Sequence, residues 1–128
     1  MKKYKIAYTT GAFDPFHYGH LNILKKAKEM SEVVIVGVSS DELIEKVKNR
    51  KAFMALSHRM DIISELKCVD RVISQIDKNK QAIVDKYNVD VIFVGSDWIG
   101  KYPIVSCDII YIDYTNGISS TVIRGSLE

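Results

Sequence analysis

Two of the chain's three histidines, His17 and His20, stand three residues apart in the stretch GAFDPFHYGH, directly after an apolar run. If a helix starts near Tyr18, His17 lies just before it and His20 in its first turn. Both imidazoles then reach the space above the end of the preceding strand. The backbone N–H groups at a helix start favour an anion there, and Gly19 lets a ligand approach the backbone closely. The chemistry this suits is stabilisation of charge on a phosphoryl group during in-line transfer, where positioning and electrostatics do most of the work. The competing explanation is one histidine that caps and one that packs; the placement after a strand and a G-x-F-D turn weighs against it.

The elements that must position these residues are legible from periodicity. Lys5 to Thr10 reads as an apolar strand, and Leu21, Leu24, Ala27 and Lys28 fall at helical spacing over Tyr18 to Met30. Val33 to Val38, VVIVGV, is a β-branched run suited to a parallel strand covered on both faces. Ser39, Ser40 and Asp41 supply N-cap chemistry for the next helix. Lys46 to Lys51, four basic residues in six, reads as an exposed loop; Ser57 is expected to cap a helix whose Ile62, Ile63 and Leu66 face the sheet. Short strands follow at Arg71 to Ile73, Val91 to Val94 and Ile109 to Ile112, with a helix over Lys78 to Tyr87. Strands alternating with helices predict βαβ units: an α/β, Rossmann-like fold with a small parallel sheet and helices on both faces. Such a sheet binds ligands beyond the carboxyl ends of its strands, where Gly11 to His20, Gly95 to Lys101 and Thr115 to Thr121 are expected to converge.

At 128 residues the expectation is a single domain, 1–128, with one site for all its ligands. The 47% apolar and 27% charged residues exclude a disordered or fibrous chain. No apolar run approaches the roughly 18 residues that span a bilayer. MKKYKIAYTT lacks the apolar core and cleavage site of a secretory leader, so a cytoplasmic protein without membrane partners is expected. A formal charge of +2 is too small to predict nucleic-acid binding. Cys68 and Cys107 have neither C-x-x-C spacing nor a nearby histidine, so no zinc site or redox pair is expected.

GAFDPFHYGHL resembles the HxGH signature of the nucleotidyltransferase superfamily, and the tail GISSTVIR resembles its second signature, ISSTxIR. With GSDWIGK at Gly95 to Lys101 and the short length, the chain is similar over nearly its whole extent to the small cytidylyltransferases typified by glycerol-3-phosphate cytidylyltransferase. The resemblance implies transfer of CMP from CTP to a small phospho-alcohol, with release of pyrophosphate. It also implies a homodimer, a magnesium ion carried with the substrate phosphates, and a role in making a cell-surface polysaccharide precursor. His17 and His20 would be catalytic. With Thr10, Gly11, Ala12, Phe13, Asp14, Gly19 and the tail residues Thr115, Gly117, Ile118, Ser119, Ser120 and Thr121, they would hold the nucleotide. Gly95 would join them in holding the nucleotide, and Asp97 and Trp98 would help hold its cytidine part; the alternative for Trp98 is core packing.

In the basic loop one lysine is implied to reach the phosphates, with Lys48 the better candidate; the alternative is a solvated charged face. Arg59 matches a family arginine near the nucleotide and could grip phosphate as a fork, whereas His58 reads as a surface residue. Asp14 would cap or brace its loop. Asp70 matches a family aspartate, or is a strand-end acid facing water. Tyr114 stands where the family carries an arginine, with Arg124 as a candidate replacement. Ala12 and Ser96 also depart from the family pattern. The two signatures also resemble those of adenylyltransferases, whose chains are longer, and the departures admit a nucleotide-binding protein that has lost catalysis; these are the two alternatives.

Overall fold

The computed structural model describes residues 2–113. Five strands form one sheet: β1 (Tyr4–Gly11), β2 (Ser31–Ser39), β3 (Arg71–Gln75), β4 (Val91–Gly95) and β5 (Asp108–Ile112). They lie in the order β3-β2-β1-β4-β5, and every pairing is parallel. Four helices connect them: α1 (Tyr18–Met30), α2 (Asp41–Lys48), α3 (Leu56–Ser64) and α4 (Lys80–Tyr87). A single 3-10 turn, Ser96–Trp98, follows β4. This is the expected Rossmann-like architecture.

Period-two alternation divides the core between the two faces. Ala7, Val34, Val36, Val38, Val91 and Phe93 face one way and pack with Ile23, Leu24 and Ala27 of α1 and Ile63 of α3. Tyr8, Ile35, Ile92 and Val94 face the other way and pack with Val84 of α4 and Val89. Every strand but the edge pair is therefore apolar on both sides, which is why VVIVGV carries no polar alternation. The chain leaves β1 toward β2 and β3, then returns to place β4 on the other side of β1. The switch point for a ligand thus lies at the carboxyl ends of β1 and β4.

Three local expectations change. Helix α2 runs through Lys48 and ends on Asn49 in the left-handed conformation, so Lys46 and Lys48 occupy a last helical turn rather than a loop. Their charge there complements the helix dipole. Ser57 lies inside the first turn of α3, whose N-cap is Ala55. Of the three residues expected to face the sheet, Ile63 is buried and Leu66 packs on the core, but Ile62 is 43% exposed. Among the described residues no helix is long and apolar enough to cross a membrane.

Candidate active site

His17 is the N-cap of α1, in extended conformation. Its Nδ1 accepts from the Gly19 N–H at 3.0 Å, and the His17 N–H donates to Nδ1 of His20 at 3.2 Å. This is a reciprocal capping box in which histidines replace the usual hydroxyl and carboxylate. The rings stack at 3.7 Å between centroids. Because both Nδ1 atoms accept, the proton of each neutral ring sits on Nε2. Burial lowers the pKa of His17. His20 is lowered to about 3, first by burial and then by the neighbouring His17 and the Lys48 charge. Both rings are thus neutral at pH 7. Capping and catalysis were rival explanations in the sequence; the structure has both rings capping through Nδ1, which leaves chemistry at Nε2 compatible with it.

The turn before α1 is strained and held from all sides. Phe13 has φ 51°, a conformation that costs a bulky residue about 1–3 kcal/mol. Its buried ring meets His20 edge-on at 5.0 Å and lies close enough to Gly11 that a β-carbon there would stand 3.3 Å from it. The Asp14–Pro15 bond is cis. Asp14 is fully buried and accepts from the N–H groups of Phe53 and Met54, at 2.7 and 3.0 Å, and from Arg50 at 3.1 Å. It braces the α2–α3 connection against the histidine turn.

A cavity of about 560 Å³ opens at the switch point. Thr10, Gly11, Ala12 and Phe13 line it from β1 and its turn, His17 and His20 from α1, Lys48 from α2, and Gly95, Asp97 and Trp98 from β4 and the turn after it. Ten of the predicted site residues are thereby brought together. Trp98 is 44% exposed and meets Tyr102 edge-on at 5.6 Å, so it is not a core residue.

Four predicted residues stand elsewhere. Gly19 is buried beneath the cap, with its N–H on His17. Asp14 is occupied as a brace. Arg59 corrects a larger expectation: it is 1% exposed, and its guanidinium donates to the carbonyls of Met54, Ala12 and Ser39 and to the Asp41 carboxylate. It ties the ends of β1 and β2 to α2 and offers no fork to the cavity. Asp70 lies at the amino end of β3, away from the cavity, where its carboxylate holds Lys28 at 2.9 Å and the Val34 N–H at 2.7 Å. It is a strand-end acid. Tyr114, Thr115, Gly117, Ile118, Ser119, Ser120, Thr121 and Arg124 lie outside the described residues.

Sequence reasoning missed Lys78, Lys80 and Tyr102, and took Lys101 only as part of a motif; all four line the cavity. Lys78 and Lys80 follow the carboxyl end of β3, and that position was their one signal; lysines at an exposed helix start are otherwise commonplace. With Lys48 and Lys101 they give the described wall four ammonium groups against one carboxylate, Asp97. Such a field concentrates a polyanion.

A cytidylyltransferase-like family model matches residues 8–126. The chain belongs to the cytidylyltransferase-like family. It is 37% identical over 120 residues to the glycerol-3-phosphate cytidylyltransferase of Bacillus subtilis (strain 168), spanning 91% of this chain and 92% of that one. The Staphylococcus aureus (strain NCTC 8325 / PS 47) enzyme of the same name is 35% identical over 122 residues, spanning 93% and 92%. Among solved structures, a lipopolysaccharide core biosynthesis protein from Thermoplasma volcanium GSS1 has a TM-score of 0.72 at 26% identity, covering 88% of this chain and 98% of that one. Family membership makes the chain a nucleotidyltransferase, and it accounts for a cationic cavity headed by the histidine cap.

Proposed function

We propose that this cytidylyltransferase moves CMP from CTP to glycerol 3-phosphate. An oxygen of the acceptor phosphate attacks the α-phosphorus of CTP. The bond from that phosphorus to the bridging oxygen breaks, and pyrophosphate leaves with the electron pair, giving CDP-glycerol. The supporting observation is that His17, His20 and Lys48 share one cavity with Asp97 and Trp98. The two imidazoles, held as Nε2–H donors, and the Lys48 ammonium stabilise the charge that builds on the five-coordinate phosphorus and the leaving group. Asp97 and Trp98 receive the cytosine, the ring by stacking. With the triphosphate at the head of α1 and the base beside Trp98, Lys78 and Lys80 form the side of the cavity left for the acceptor phosphate. The tail hydroxyls of Ser119, Ser120 and Thr121 complete the triphosphate's partners in this proposal.

Among the described residues no group of three or more His, Cys, Asp or Glu side chains could hold a metal. A cavity lined by one described carboxylate, which this reading gives to the base, suits a magnesium ion that would be carried in on the substrate phosphates rather than held by a protein cage. When bound, the ion offsets charge on the phosphates. A cytoplasmic homodimer supplying a surface-polymer precursor completes the proposal, and light scattering should give the mass of two chains.

Incubating the protein with each of the four NTPs and a panel of phospho-alcohols, following pyrophosphate, tests the reading. Release is expected with CTP and glycerol 3-phosphate. Turnover with ATP but not CTP would make it an adenylyltransferase, and CTP binding without pyrophosphate from any acceptor would make it a binding protein.

A further inference from the structure

The interior of the sheet holds a polar connection that packing does not require. Tyr8, fully buried on β1, extends its ring across β2 at Gly37, where a β-carbon would fall 1.8 Å from the hydroxyl. The hydroxyl donates to Oε1 of Gln75, the last residue of β3. Gln75 is 2% exposed; its Nε2 donates to the Asp77 carbonyl at 2.7 Å, and its own carbonyl accepts from the Ser40 N–H at 3.0 Å. From there the bonds continue through the turn. The Asp77 carboxylate accepts from the Asn79 N–H at 2.9 Å, the Asn79 side chain from the Ala82 N–H at 3.0 Å, and the Lys78 carbonyl from the Lys80 N–H at 2.9 Å.

An apolar pair in place of Tyr8 and Gln75 would fill the same space without burying a hydroxyl and an amide. What it would not do is anchor the turn. That turn has little apolar packing of its own: Ile76 is 72% exposed, and Asp77, Lys78 and Asn79 are all exposed. Its place is set by polar bonds, and Gln75 is the buried end of them.

We infer that Tyr8 and Gln75 are positioning residues for the acceptor: through the Asp77 carbonyl they hold the turn that presents Lys78 and Lys80 to the cavity. The inference rests on the reading in which those lysines take the acceptor phosphate. Burial keeps the Tyr8 hydroxyl protonated well above its ordinary range, so it stays a donor at working pH. The Lys80 ammonium is depressed by burial and supported by Asp77, so its charge also depends on where the turn is held.

The test compares Tyr8→Phe and Gln75→Met with Lys80→Ala, using CTP and glycerol 3-phosphate, with amide hydrogen exchange read in parallel. Tyr8→Phe removes one oxygen and should fold. Both positioning variants should raise KM for glycerol 3-phosphate about 10-fold, the scale of a small misplacement, with KM for CTP and kcat within about twofold. Exchange should quicken over 76–80. A merely structural pair would lower Tm and leave the ratio of the two KM values alone, which would overturn the inference. So would unchanged exchange over 76–80 in Tyr8→Phe, whatever the reaction. An unchanged acceptor KM in Lys80→Ala would instead overturn the assignment of the phosphate.

Discussion

The two flanks of the cavity are built in opposite ways. On the β1–α1 flank, Phe13, Asp14 and His17 are buried, and backbone N–H groups hold the rings and the carboxylate in place. On the β4 flank, Asp97, Trp98, Ile99, Gly100 and Lys101 are all exposed, on one 3-10 turn and the loop after it. The contrast follows from what each flank meets in the proposed reaction. Charge on phosphorus develops and disappears within one step, so its partners must be in place beforehand. A base only has to be held, and a stacking side chain on an adaptable loop suffices.

The sharpest way to break this contrast is to remove the brace. Asp14→Ala leaves two N–H groups without their acceptor and takes the carboxylate from Arg50, and should destabilise the fold by about 3–5 kcal/mol, the range for breaking a buried pair. Denaturant unfolding at pH 7 measures it; a loss below about 1 kcal/mol, the size of an ordinary hydrogen bond, would mean that the braced flank is not braced. Next in size is the chemistry of the cap. His17→Asn keeps an N-cap acceptor but lacks the imidazole, so turnover should fall at least ~100-fold with Tm nearly unchanged. His17→Ala should lose the same activity and about 1 kcal/mol of stability besides. If the Asn variant works, the ring is only a cap.

On the exposed flank the effect should be smaller and confined to binding. Trp98→Ala is expected to raise KM for CTP about 10-fold, the scale of one base–aromatic stack, with no change in Tm. A fall in Tm would show that the loop is part of the core after all. The mildest expectation concerns pH. His20 titrates at about 3 in the fold, against about 6.5 unfolded. Between these values the unfolded chain binds the extra proton, so stability is complete above about pH 6.5 and declines as pH falls toward 3. Tm should therefore drop by about a few degrees from pH 7 to pH 6, and by less in His20→Asn. Equal slopes would place the acid sensitivity elsewhere.

The strand-turn-helix around His17 and His20 was legible because it is local: an apolar strand, a turn and a helix start within one short stretch. The same holds for Trp98, which follows a fully apolar strand. What one chain could not reveal is which polar groups would be consumed by the protein itself. Arg59 and Asp14 look like partners for phosphate because their chemistry is right, yet both are engaged within the protein, mostly by backbone and side-chain groups brought from elsewhere in the chain. Lys80 is the converse. Nothing in DKNK distinguishes it from a solvated helix start until the β3 end is placed beside the cavity. Helix ends moved for an equally local reason: Asn49 adopts the left-handed conformation and stops α2 only after two lysines of the basic run have joined it.

Gly37 and Tyr8 bear on how this chain can change over generations. A side chain at position 37 collides with the tyrosine hydroxyl, so the larger residue is admissible only in a lineage that has already replaced Tyr8 with something shorter. The reverse order passes through an overpacked sheet. The pair thus fixes an order of change rather than a direction, and a reconstructed lineage or a mutational library should hold a side chain at position 37 only together with a shorter residue at position 8.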